Sequence, residues 1–153
     1  MFRKILFPTD FSEETDRAIG FIKQLREAGT KEVILLHVID ERTINSLERY
    51  TAKYADMSLV VQDITEKALQ ALAPIEEDLQ EAGLQVKIRV EHGIPFSQIL
   101  RVEIEEDVSL TVIGSHGRSN ITGMLLGSVS EKVIRKSERP VIVIKRGNNG
   151  PDA

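Results

Sequence analysis

Leu110-Thr111-Val112-Ile113-Gly114-Ser115-His116-Gly117, taken up again at Gly127-Ser128-Val129-Ser130, reads as a buried strand, a glycine-bearing turn and the start of a helix. Glycine opens backbone conformations closed to other residues and lets main-chain N–H groups approach a ligand with no side chain between. A helix start adds unpaired N–H donors and a partial positive charge, which together suit phosphate. The stretch therefore predicts a nucleotide-phosphate cradle. The hydroxyls of Ser128 and Ser130 can add donors, and Ser128 serves equally well as an ordinary N-cap.

The spacing Gly-x-x-Gly-x9-Gly-Ser belongs to neither of the two best-known phosphate loops. No Gly-Lys-Ser/Thr occurs, and the second glycine follows the first by three places rather than two. The cradle thus lacks a built-in lysine. Arg118 or Lys132 partly compensates only if drawn in from the surface, so a bound triphosphate is expected to keep Mg²⁺ as its counter-ion.

Outward from this stretch, strands alternate with helices. Ile5-Leu6-Phe7 is a short apolar strand ending at Pro8-Thr9-Asp10, and Ser12 is a suitable N-cap for the helix that follows. Ala18, Phe21, Ile22, Leu25 and Ala28 recur at helical spacing up to Gly29. Val33 to Val38 is a continuous apolar strand, as in a sheet covered on both faces. Residues 40–57 show no clear stripe and read as a mobile excursion, helical in part.

A long stripe from Ile64 to Ala82 carries Pro74, which should kink or divide that helix. Val86, Ile88 and Val90 alternate with charges, as on a strand near a sheet edge, and Pro95 suits a first helical position. Phe96, Ile99, Leu100 and Ile104 mark the next helix, Gly127 to Lys136 the last one, and Val141 to Ile144 the final strand. Five strands and four helices in alternation predict a parallel, doubly wound α/β sheet. In such sheets ligands bind beyond the C-terminal strand ends, where Asp10, Val38 and Gly114 are expected to converge.

The bulk numbers exclude several classes. The 153 residues suit one domain, with 41% hydrophobic and 29% charged residues. A net charge of −4 opposes non-specific nucleic-acid binding, and without cysteine there is no disulfide, thiolate chemistry or Cys-ligated metal. No apolar segment approaches bilayer length, so no membrane association is expected and the default location is the cytoplasm.

Individual side chains carry two readings each. Asp10 either meets a ribose hydroxyl or a ligand's metal, or caps a helix. Val38 offers backbone groups to an adenine edge or is only core. His116 is a general base or, with no carboxylate partner or nucleophile order in evidence, orients the loop. His37 reads as a satisfied core residue and His92 as turn surface. Glu103, Glu105, Glu106 and Asp107 read as a solvated helix end.

Pro8-Thr9-Asp10, His37-Val38, Gly93-x-Pro95 and the whole of Gly114 to Ser130 resemble the landmarks of the universal stress protein family, over Ile5 to Lys145. The resemblance implies the branch that binds ATP (or AMP or ADP). In that branch Asp10 would meet the ribose and Val38 the adenine. Ile113, Gly114, Gly117, Gly127, Ser128, Val129 and Ser130 would line the phosphate side, with Pro8, Thr9, His116 and Arg118 beside them. It also implies a Rossmann-like sheet of order 3-2-1-4-5, akin to the adenine nucleotide alpha hydrolases. One domain would span residues 1–146, with a disordered tail over 147–153.

Family members are typically homodimers through the last strand. Here the apolar edge Val141-Ile142-Val143-Ile144 independently calls for a partner strand. The expected function is a homodimeric, nucleotide-dependent switch or regulator in stress response, with at most weak ATP hydrolysis. The alternatives are a slow ATPase or phosphotransferase using Asp10 or His116, and a nucleotide-free dimeric scaffold.

Overall fold

A computed structural model describes residues 1–51, 56–116 and 126–147. Gly117, Arg118 and the tail from residue 148 onward lie outside the described residues. The described chain runs β1 (Lys4–Pro8), α1 (Glu14–Leu25), β2 (Glu32–Asp40), α2 (Glu41–Thr51), α3 (Met57–Glu81), β3 (Gln85–Gly93), α4 (Pro95–Glu105), β4 (Leu110–Gly114), α5 (Ser128–Lys136) and β5 (Val141–Ile144). All four strand pairings are parallel, and the order is β3-β2-β1-β4-β5.

The alternation of side chains along each strand explains why the sheet is covered twice. Ile5, Phe7, Val33 and Leu35 point to one face, where they meet Ile22 of α1 and Leu72 and Leu79 of α3. Leu6, Ile34 and Leu36 point to the other, against Ile99 and Val102 of α4 and Val133 of α5. Each such fully buried side chain contributes about 1.5–3 kcal/mol relative to exposure. The continuous apolar runs are therefore the signature of two cores sharing one sheet.

The stretch after β2 is helical in part, as read: Glu41–Thr51 forms α2, with only Ile44 and Leu47 half-buried among its described side chains. Its polarity hides the helix from any search for an apolar stripe. Other local expectations need correction. Pro74 does not divide α3, which runs unbroken for 25 residues. Pro74 lies on the exposed side, so the Gln70 carbonyl that loses its helical donor can turn to water.

Ser12 is not the N-cap; α1 begins at Glu14, and Glu13 before it makes no side-chain cap, while the Ser12 carbonyl accepts from the Thr15 amide at 3.1 Å. Ile104 is 68% exposed, whereas Glu103 beside it is buried and accepts from the Thr111 and Ser137 hydroxyls. Glu103 is thus no part of a solvated helix end. Its carboxylate ties α4 to β4 and to the turn after α5.

Candidate functional site

The three central strands β2, β1 and β4 end beneath a cavity of about 600 Å³. Pro8, Thr9, Asp10, Val38, Ile113, Gly114, His116, Gly127, Ser128, Val129 and Ser130 all line it. Every described residue expected at the site is therefore brought together; Gly117 and Arg118 lie outside the described residues. Val38 is not beyond its strand but two residues inside the end of β2, and Asp10 stands two residues after β1.

The β1 wall is held by hydrogen bonds that override backbone strain. Phe11 adopts φ 64°, in the left-handed region that non-glycine residues rarely occupy. Its amide donates to Thr9 Oγ1 at 3.1 Å, and the next amide, of Ser12, donates to Asp10 Oδ1 at 3.0 Å. Asp10 thus shapes an Asx-type turn, and the helix-capping reading for it fails because α1 starts four residues on. Thr9 is anchored in turn to β2 through its amide on the Leu36 carbonyl at 2.8 Å.

His37 is a site residue that its sequence context concealed. It lies in an apolar strand, yet it is only half-buried and lines the cavity. Nδ1 sits 2.8 Å from the Thr9 carbonyl, and the ring packs at 4.7 Å against Phe11. The histidine is satisfied, as expected, but as a brace for the β1 turn rather than as core. A signal existed in the sequence: a ring with two polar nitrogens within an otherwise apolar strand needs a polar partner at its end.

The β4 wall is built differently. Gly127 occupies the N-cap of α5, so Ser128, Val129 and Ser130 are its first three helical residues. Their amides are among those a helix leaves without internal partners, and all three residues face the cavity. The Ser130 hydroxyl donates to the Gly114 carbonyl, fastening α5 to the end of β4. What Ser130 offers the cavity in this arrangement is its backbone. A second tie runs from the Gly127 amide to the Ser115 carbonyl at 2.6 Å.

Gly114 has a packing role as well. A Cβ there would stand 3.2 Å from Cβ of Glu14, so its absence lets the start of α1 close onto β4. Glu14 is 1% exposed and lines the cavity. Its Oε1 accepts from Arg146 Nε at 3.0 Å and lies 3.6 Å from His116 Nδ1, which itself sits 2.9 Å from Ser115 Oγ.

Burial opposes ionisation of Glu14, but its own amide, Ser12 and the Arg146 guanidinium outweigh it and hold the carboxyl below the ordinary glutamate value. Oε2 is buried and makes no hydrogen bond. Neither Glu14 nor Arg146 stood out in the sequence, where Glu14 looks like one more acidic residue in a first turn.

The opposite rim is polar and more open. Asp40 and Arg42 form an ion pair at 2.7 Å there, and the guanidinium draws the Asp40 carboxyl below its ordinary value. Lys67, Ala68 and Ala71 of α3 and Ile99 of α4 complete the enclosure. The cavity thus has one end rich in backbone donors and another where Ala68, Ala71 and Ile99 form an apolar wall beside the Asp40–Arg42 rim. That asymmetry suits a ligand with an anionic tail and a flat apolar head.

The sequence profile of the Universal stress protein family matches residues 1–145. Universal stress protein MJ0577 of Methanocaldococcus jannaschii is 38% identical over 97% of this chain and 98% of its own. The solved MJ0577 structure superposes with a TM-score of 0.86 at 41% identity, covering 97% of this chain and 99% of that one. Two more distant structures share the fold. A universal stress protein in complex with cAMP has a TM-score of 0.66 at 22% identity, covering 94% of this chain and 97% of its own. One from Archaeoglobus fulgidus in complex with dAMP has a TM-score of 0.65 at 23% identity, covering 95% and 100%. A sheet of order 3-2-1-4-5, a helix mouth facing its strand ends and a profile match over nearly the whole length lead to one assignment: this chain belongs to the universal stress protein family.

Proposed function

We propose that this protein binds ATP, or the related AMP or ADP, as a homodimeric switch whose output is conformation or partner choice rather than turnover. The observation that carries the reading is the convergence of Pro8-Thr9-Asp10, Val38, Ile113-Gly114 and Gly127 to Ser130 on one cavity at a helix mouth. The phosphates lie against the α5 amides, where the helix dipole favours negative charge. Asp10 meets the ribose, and Val38 meets the adenine beside the apolar wall. Support from relatives is coarser: distant members have been solved with cAMP and with dAMP.

A micromolar Kd corresponds to about −8 kcal/mol, within reach of a few charge-assisted hydrogen bonds of about 1.5–3 kcal/mol each plus base burial. The dimer forms through β5, the apolar sheet edge. The deciding experiment denatures the purified protein, identifies any released nucleotide and then follows ATP turnover by the native protein. Released adenine nucleotide or a micromolar calorimetric isotherm, with little ADP formed, is the expected outcome. Replacing Gly127 with Val should abolish binding in a folded protein, because branched bulk then blocks the approach to the helix mouth. Unchanged affinity rejects the assignment, and rapid ADP formation lost in Asp10→Ala or His116→Ala replaces it with an ATPase.

A further inference from the structure

The phosphate end of the cavity holds a feature that a simple anion cradle would avoid: a buried, ionised carboxylate. Glu14 is almost wholly shielded from solvent, and Arg146 Nε donates to its Oε1. Oε2 is buried with no hydrogen bond. A buried charged oxygen left in that state is costly unless something positive arrives. The Cβ and Cγ of the same side chain pack against Gly114, whose carbonyl is tied to Ser130 in the first turn of α5, and the carboxylate lies 3.6 Å from His116 on the wall of that cavity. The negative charge therefore stands beside the amides that would hold phosphate, and it repels a bare polyphosphate.

Resting on the nucleotide reading above, we propose that Glu14 Oε2 is a protein ligand for the divalent cation that accompanies the phosphates. Among the described residues, no group of three or more His, Asp or Glu could hold a metal by itself. A cation here must draw its remaining ligands from phosphate and water, which is how Mg²⁺ commonly binds beside one or two carboxylates. Arg146 keeps the carboxylate ionised and oriented through its other oxygen, and His116 lies on that same side at 3.6 Å. The site thus selects the metal-bound nucleotide over the free one, because only the former brings charge of the sign Glu14 requires.

The test is calorimetric titration of the whole protein with ATP, once with Mg²⁺ and once with a chelator. Wild type should bind ATP at least about tenfold more tightly with Mg²⁺. In Glu14→Gln that gain should fall below about threefold, while chelated ATP binds as tightly as to wild type or more so, since the repelling charge is gone. A full Mg²⁺ gain in Glu14→Gln overturns the proposal, as does a wild type indifferent to Mg²⁺, although nucleotide binding itself would then stand. No ATP binding under either condition overturns the nucleotide reading and this one with it. Should Glu14→Gln fail to fold, Glu14→Asp serves: its shorter carboxylate must shrink the Mg²⁺ gain, and an undiminished gain overturns the assignment.

Discussion

The two edges of the sheet are opposites. On β3, Lys87, Arg89 and Glu91 interrupt the apolar residues, and Arg89 alone reaches Glu91, Glu105 and Glu106. Lys87 shares Glu106, while Arg101 joins Glu91 and Glu105. On β5 the whole strand is Val-Ile-Val-Ile, and each residue is half-buried with no charge to guard it. Exposed strand edges pair with other strands unless charge or geometry prevents it. One edge is therefore closed by side-chain electrostatics, and the other carries no charged side chain within the strand. The same liability is guarded by charge on one edge only.

The largest effect should come from closing the open edge. The Pro140 and Ile144 carbonyls accept from β4, so in a parallel ladder Val141 and Val143 turn their main-chain groups outward. Replacing Val143 with Pro removes an outward donor and leaves the β4 pairing in place, at about 1–3 kcal/mol to an added strand whose acceptor is left unpaired. Sedimentation should then show a monomer at micromolar concentration, against the dimer proposed for wild type. A wild-type monomer, or a variant dimer of unchanged affinity, breaks the contrast between the edges.

Next in size is the hub of the closed edge. The Arg89 side chain is 17% exposed, and its guanidinium is held protonated against the cost of burial by Glu105 and Glu91. Arg89→Ala leaves those carboxylates crowded and should destabilise by about 2 kcal/mol in urea melts, with more self-association through β3. Acid should produce a smaller loss of the same origin. Glu105 and Glu106 have folded values lowered chiefly by Arg89 and Lys87 respectively.

Their stabilisation is thus complete above the unfolded glutamate value near about 4.3, and it fades as pH falls through the lower folded values. The stability gap between wild type and Arg89→Ala should narrow from pH 6 to pH 3; a gap that widens contradicts the sign. The smallest effect belongs to Arg101, whose side chain is 43% exposed. Arg101→Ala should move Tm by no more than about two degrees, since exposed pairs are screened and contribute little.

How much of this was legible beforehand varied with the kind of interaction involved. Apolar runs at Ile5–Phe7, Val33–Val38, Leu110–Ile113 and Val141–Ile144 became strands because a strand buried on both faces has few other compositions. Gly114, Gly127, Ser128 and Ser130 met Asp10 and Val38 because doubly wound sheets gather their strand ends. Residues whose role depends on a distant partner were not legible. Glu103 looks solvated until Thr111 and Ser137 close over it, and His37 looks like core until the Thr9 carbonyl appears across the sheet. The helix of residues 41–51 had too little apolar periodicity for its bounds to be read from the sequence.

By itself the sequence determined the strands and the four amphipathic helices between them, the two faces of the sheet, the two contrasting edges and the position of the helix mouth. Those are properties of local composition and period, readable one segment at a time. Only the tertiary structure decided that Glu14 stands buried beside Gly114, that Arg146, 132 residues away, meets one of its oxygens, and that the other is left without a donor. A charge's meaning lies in what surrounds it, and for Glu14 those surroundings come from β4 and from the chain beyond β5, segments far removed in sequence.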